Sequence, residues 1–152
     1  MPTVERTLIL FKPDAVQRGL SGALLTRFEN AGLKPVGLKL VLVSEELARK
    51  HYAPHVGKPF FPGLLAFITS SPVVAVALEG PRAITVARNL MGATDPAKAV
   101  PGSIRGDYGL SIGMNLVHGS DSPENAELEL KLWFGPHELV GYKRDLDRWL
   151  IE

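Results

Sequence analysis

No cysteine occurs in the sequence, which excludes disulfides and thiolate metal sites and suits a reducing compartment. No apolar run approaches the roughly 20 residues that a membrane-spanning helix needs. The opening residues Met1-Pro2-Thr3-Val4-Glu5-Arg6 lack the basic and apolar layout of a signal peptide. The expectation is a cytoplasmic protein with no membrane partner. Charge of one sign is also missing: 17 basic against 16 acidic residues leave a net +1. A global electrostatic attraction to nucleic acid is thereby excluded, and nucleic-acid binding is not indicated as the main function. Any anion site must come from local clustering. No repeat, low-complexity tract or linker divides the 152 residues, so one domain, 1–152, is expected. The familiar phosphate scaffolds are absent too: there is no G-x-x-x-x-G-K-[ST] loop, dinucleotide fingerprint, H-R-D or D-F-G.

What is present reads as short strands alternating with helices. Arg6 to Phe11 is an apolar run stopped by Pro13 and predicts a buried strand. Ser21 is positioned to cap a helix over Gly22 to Ala31, ended by Gly32. Leu38 to Val43 predicts a second strand, and Ser44-Glu45-Glu46-Leu47 a capped helix start. A short helix over Pro62 to Thr69, a strand over Val73 to Leu78 and a helix over Pro81 to Met91 follow. Val117 belongs to a fourth strand, and Ser122 to Trp133 forms the last long helix. This order predicts an α+β sandwich: a four-stranded, mainly antiparallel sheet covered by helices, with one face covered. Gly92 to Met114 shows little periodicity, which predicts a long functional or interface loop.

The chemistry concentrates in Asn115-Leu116-Val117-His118-Gly119-Ser120-Asp121. His118 falls where a strand opens into a polar turn, and an ordinary imidazole is mostly neutral at pH 7, able to act as nucleophile. Transfer of a phosphoryl group, one reaction open to such a nitrogen, divides into two in-line steps if the nitrogen accepts the phosphate first. Ser120 and Glu129 are candidates to fix the ring's orientation and tautomer, Glu129 only if its helix folds back. Lys12, Arg88 and Arg105 each sit near a turn signal and form a candidate phosphate clamp. Taken singly, each reads as an ordinary surface charge. Phe60 and Phe61, adjacent in a proline-bounded turn, cannot share one face, so one ring is expected inside and one outside.

Three other motifs compete. Gly109-Leu110-Ser111-Ile112-Gly113 fits a hydrolase nucleophile elbow but lacks the larger parallel sheet. His51 and His55 are four apart, with Pro54 between them spoiling a helical metal pair. Gly19-Leu20-Ser21-Gly22 fits a GXXG nucleic-acid loop and reads equally as a helix start.

The heptapeptide around His118 resembles the signature of the nucleoside diphosphate kinase family. The likeness extends to Glu5 to Leu20, His51-Tyr52, Lys58-Pro59-Phe60-Phe61, Arg88 to Thr94 and Pro101 to Asp107. It implies a ferredoxin-like core and ping-pong transfer of the γ-phosphate of a nucleoside triphosphate, ATP, GTP or others, to a nucleoside diphosphate. Phospho-His118 is the implied intermediate, with Ser120 and Glu129 beside it and Tyr52 near the reacting phosphate. Lys12, Arg88 and Arg105, with the Thr94 hydroxyl, are implied phosphate ligands. Phe60 is implied to stack on the base without reading it, and Asn115 to meet the ribose together with Lys12. Mg²⁺ is expected mainly on the substrate phosphates, since no dense carboxylate cluster appears, with Asp121 assisting through water. The family also implies a homo-oligomer, and the long C-terminal tail favours a hexamer over a tetramer. Met114, Ser71 and His137 depart from common family residues, none at a catalytic position.

Overall fold

Every strand of the sheet comes from a run rich in valine, isoleucine, leucine or alanine, and the central two are apolar on both faces. The computed structural model describes residues 3–152. Strand β1 (Val4–Phe11) pairs antiparallel with β3 (Val73–Pro81) and, on its other side, with β4 (Val117–Gly119). Strand β2 (Lys34–Val41) pairs antiparallel with β3, giving the order β2-β3-β1-β4. This is the four-stranded antiparallel α+β architecture read from the sequence.

Helices lie on both faces of the sheet, a correction to the expected single covered face. Ile9, Phe11, Val76 and Leu78 pack with Leu24 and Phe28 of α2 (Ser21–Asn30) and with Ala87 and Met91 of α5 (Ala83–Met91). On the opposite face Leu8, Leu10, Ala75 and Ala77 meet Ala48 of α3 (Glu45–His51), Ile68 of α4 (Phe61–Ile68) and Leu130 and Trp133 of α7 (Pro123–Trp133). Alternate side chains of a strand point to opposite faces, so an unbroken apolar run signals burial of both. Each fully buried Leu or Phe contributes roughly 1.5–3 kcal/mol of burial free energy, so neither layer is dispensable.

Local chemistry sets the boundaries. The oxygen of Ser44 accepts from the Leu47 amide and that of Ser122 from the Asn125 amide, capping α3 and α7 as expected. Ser21 does not cap α2; it lies within the helix, whose N-cap is Leu20. Pro13 occupies the first position of α1 (Pro13–Gln17), a short helix the sequence reading left out. The long 92–114 segment also holds a helix, α6 (Ile104–Tyr108), capped by Ser103. A Cβ at Gly106 would overlap the Val100 carbonyl, so only glycine lets α6 pack against the loop before it. Among the described residues no helix is long and apolar enough to cross a membrane.

Candidate active site

β1 ends at Phe11, and its neighbour β4 pairs Leu10 with His118, which brings the Lys12 turn beside the heptapeptide. The same corner collects the end of α3, the side of α7 and the end of α5 around a cavity of about 550 Å³. Lys12, Tyr52, Arg88, Thr94, Arg105, Asn115, His118, Asp121 and Glu129 all line it. The volume falls in the usual range for small-molecule sites.

His118 is the candidate nucleophile. Its Nε2 lies 3.0 and 3.1 Å from the two oxygens of Glu129. Burial works to raise the Glu129 carboxyl, but hydrogen bonds and charge from His118, with help from Ser120 and His51, leave it below the usual carboxylate range. An ionised carboxylate only accepts, so Nε2 carries the proton and Nδ1 keeps its lone pair. Among the described residues Nδ1 makes no hydrogen bond, which leaves it available as a nucleophile. Helix α7 does fold back to deliver Glu129, the placement that spacing alone could not establish.

Ser120 does not line the cavity. It is buried, donates to Glu129 Oε1 at 2.6 Å and accepts from the Leu8 amide at 3.4 Å. Its hold on His118 therefore runs through Glu129. Phe60 also stands outside the lining. It is 52% exposed while Phe61 is 5% exposed, the in-and-out pair expected of that turn. The Phe60 ring packs edge-on at 5.3 Å against His55, which does line the cavity, so Phe60 sits at the rim.

The cations have unequal duties. Lys12 Nζ donates to Asn115 Oδ1 at 2.8 Å, and Asn115 Nδ2 donates to the Thr94 carbonyl at 3.0 Å, tying three of the expected residues into one chain of bonds. Burial, reinforced by the Arg105 charge, lowers the Lys12 amine to about 8, still a cation at pH 7. Arg88 donates to the Gly119 carbonyl at 3.2 Å. Arg105 is buried and donates to the carbonyls of Asn115, Gly92 and Val117 at 3.1, 2.9 and 2.6 Å. Burial and the nearby Arg88 charge bring its guanidinium down to about 10. Three of its five N–H groups brace the loop, which leaves two for a ligand. The bracing role was invisible in the sequence.

His51 is the residue whose place the sequence reading missed. The structure groups it with His118 and Glu129, not with His55 as a metal pair. Its ring is edge-on to His118 at 4.7 Å, and its Nδ1 accepts from Trp133 Nε1 at 3.1 Å. Burial first, then the His118 charge, lowers it to about 3, so it stays neutral. Tyr52, edge-on to His51, is pushed up to about 12 by burial and by Glu129, and so remains a protonated donor. The other competing motifs dissolve. Ser111 sits in an exposed turn closed by the Met114 amide, far from a strand-to-helix elbow, and Gly19 to Gly22 is the entry to α2. Two imidazoles and one carboxylate form a nitrogen-rich group unlike the all-oxygen sites of Mg²⁺. Asp121, held by Asn125 Nδ2 at 2.6 Å, is the lining carboxylate not committed to His118.

An α+β sheet that sets an oriented histidine among three cations defines a phosphoryl-transfer class of protein. The family model described as nucleoside diphosphate kinase matches residues 5–139. A nucleoside diphosphate kinase of Thermomicrobium roseum is 60% identical over 97% of this chain and 99% of its own. One from Carboxydothermus hydrogenoformans is 57% identical, covering 98% of this chain and 100% of its own. The structure of a halophilic nucleoside diphosphate kinase from Halobacterium salinarum, in complex with CDP, superposes with a TM-score of 0.95 at 52% identity. It covers 99% of this chain and 100% of that one. This chain belongs to the nucleoside diphosphate kinase family, enzymes of the phosphotransferase class.

Proposed function

We propose that this protein transfers the γ-phosphate of a nucleoside triphosphate to a nucleoside diphosphate by a ping-pong reaction through phospho-His118. The observation that carries the reading is the His118–Glu129 hydrogen bond, which spends Nε2 and leaves Nδ1 free on a ring lining the same cavity as Lys12, Arg88 and Arg105. The lone pair of Nδ1 attacks the γ-phosphorus as the bond to the β-phosphate oxygen breaks, giving a phosphoramidate and the diphosphate. The Nε2 proton stays on the ring, and Glu129 stabilises the positive charge that grows there. The second half-reaction reverses these steps with a new diphosphate as acceptor. Lys12, Arg88 and the free N–H groups of Arg105 offset the charge spread over the phosphoryl oxygens. Protonated Tyr52 adds a donor, as does the Thr94 hydroxyl. The test is a hand-off experiment: enzyme labelled with γ-labelled ATP, freed of nucleotide, should pass its label to added diphosphates. Label that stays on the protein would overturn the reading.

Mg²⁺ bound to the substrate phosphates supplies further charge neutralisation. One carboxylate, Asp121, beside a cation-lined cavity suits an ion held chiefly by phosphate oxygens and water, and no resident metal cage is needed.

Base specificity should be broad. Phe60 at the rim offers a face on which any base can stack, worth about 1–3 kcal/mol, without reading base edges. Phe60→Ala should raise KM about tenfold for purine and pyrimidine diphosphates alike. A tenfold change in the ranking of bases would instead show hydrogen-bond readout. Asn115 and Lys12, already paired, are the proposed ribose contacts.

The working form is proposed to be a cytoplasmic homohexamer. Leu38, Leu40 and Leu42 lie exposed on or just beyond the edge strand β2, and Val100 and Trp149 are exposed as well, with Trp149 at 78%. Pro96, in the same segment as Val100, is buried within its own chain. Closed symmetry buries such patches without leaving a growing edge. For a 16.5 kDa chain, light scattering should give about 99 kDa. A mass near 66 kDa would indicate a tetramer, and a monomer at assay concentration would remove the proposal.

A further inference from the structure

Leu116, two residues before the proposed nucleophile, is fully buried and has φ +74°, a left-handed conformation that costs a branched side chain free energy. The Val117 amide donates to the Asn115 carbonyl at 2.8 Å, closing a γ-turn around it. Strain of this kind persists only where the surroundings over-determine it. Antiparallel pairing of Phe11 with Val117 puts Lys12 opposite Leu116 next in register. Half of the expected exchange is present: the Lys12 amide donates to the Leu116 carbonyl at 2.8 Å. The return bond is missing, because the Lys12 carbonyl accepts from Val16 inside α1. The Leu116 amide donates instead to Asp14 Oδ2 at 3.0 Å.

We propose that Asp14 is a positioning residue for phosphoryl transfer: its carboxylate replaces the ladder carbonyl that α1 removes and holds the Leu116 γ-turn. The turn sends the carbonyls of Asn115 and Val117 to one guanidinium, that of Arg105, and sets the Asn115 side chain against Lys12. One clamped peptide thus aligns His118, Asn115, Lys12 and Arg105. The other carboxylate oxygen, Oδ1, is buried without a hydrogen-bond partner among the described residues, a cost that a purely structural acidic side chain has no reason to bear. Asp14 touches no substrate in this account and positions the site through Leu116, while its charge also helps keep Lys12 protonated.

The inference rests on His118 being the nucleophile, and single-turnover phosphorylation by saturating γ-labelled ATP tests it. Asp14→Ala should react at least about 100-fold more slowly than wild type at temperatures where circular dichroism shows it folded, as a misplacement of about 1 Å does elsewhere. Asp14→Asn, which keeps an acceptor oxygen, should recover to within about fivefold of wild type. A folded Asp14→Ala with wild-type rate, or an Asp14→Asn as slow as it, overturns the proposal. If Asp14→Ala does not fold, Asp14→Glu, whose oxygen is displaced by a methylene, should react at least about tenfold slowly, and a wild-type rate there overturns it equally. A wild type that takes up no label removes the nucleophile reading instead, so the two failures are distinguishable.

Discussion

His118→Ala should take up no label from γ-labelled ATP and should lose at least about 10⁴-fold in kcat/KM for phosphate exchange. Neither of the two aromatic groups nearest it can replace it. His51 is neutral, but its Nδ1 is occupied by Trp133, and the Tyr52 hydroxyl, pushed up to about 12, is a poor nucleophile at pH 7. Wild-type label should survive alkali and be released by acid, as a phosphoramidate is. Because His118 is partly exposed and lies at the end of the sheet, the variant should keep its far-ultraviolet spectrum. Acid-stable label, or label that persists in the variant, would place the phosphate on a hydroxyl or carboxylate and defeat the mechanism.

Acid should destabilise the protein well above the range in which carboxylates usually titrate. His51 falls from 6.5 to about 3 on folding, so between those values the unfolded chain binds a proton that the native one refuses. Stability is then complete above about pH 6.5 and declines as pH falls towards 3. At about 1.4 kcal/mol per pH unit, roughly 2 kcal/mol should be lost between pH 6.5 and pH 5. Glu129, whose folded value lies below its ordinary 4.5, adds its own loss only below that value, so the upper part of the window belongs to His51. Urea unfolding at fixed protein concentration, compared at pH 7, 5.5 and 5, measures the slope. His51→Gln keeps an acceptor for Trp133 and removes the titration, and should flatten the upper window. An unchanged slope in that variant would show that another group carries it.

How much of this was legible in the sequence depended on the range of the interaction. Ser44 and Ser122 cap their helices through amides three residues on, so the local pattern sufficed. Phe60 and Phe61 diverge because adjacent residues in a turn must. The His118 heptapeptide announced its chemistry because its residue types and their order already resemble a family. Arg105 read as a surface charge or phosphate ligand, since its three carbonyl partners converge only after the 92–114 segment folds. Helix α6 was lost for the same reason: five residues around Gly106 carry no periodicity, and packing holds them. His51 looked like one half of a poor metal pair because its partners Trp133 and Glu129 lie on another helix. The second helical layer was implied by the unbroken apolar run of β1, but the predominance of antiparallel strands suggested a half-exposed sheet.

Three of the bonds that assemble the site span most of the chain: Leu8 with Ser120, Lys12 with Asn115 and Asp14 with Leu116 are separated by 112, 103 and 102 positions. Closing a loop of that length is slow and comes after local helices and hairpins have formed. Catalytic competence is therefore the last property the polypeptide acquires as it matures. A nascent chain still threaded in the ribosome, lacking β4, can hold several of its helices but not His118, the proposed nucleophile. Recovery of phosphate transfer consequently marks the end of folding, trailing the return of secondary structure.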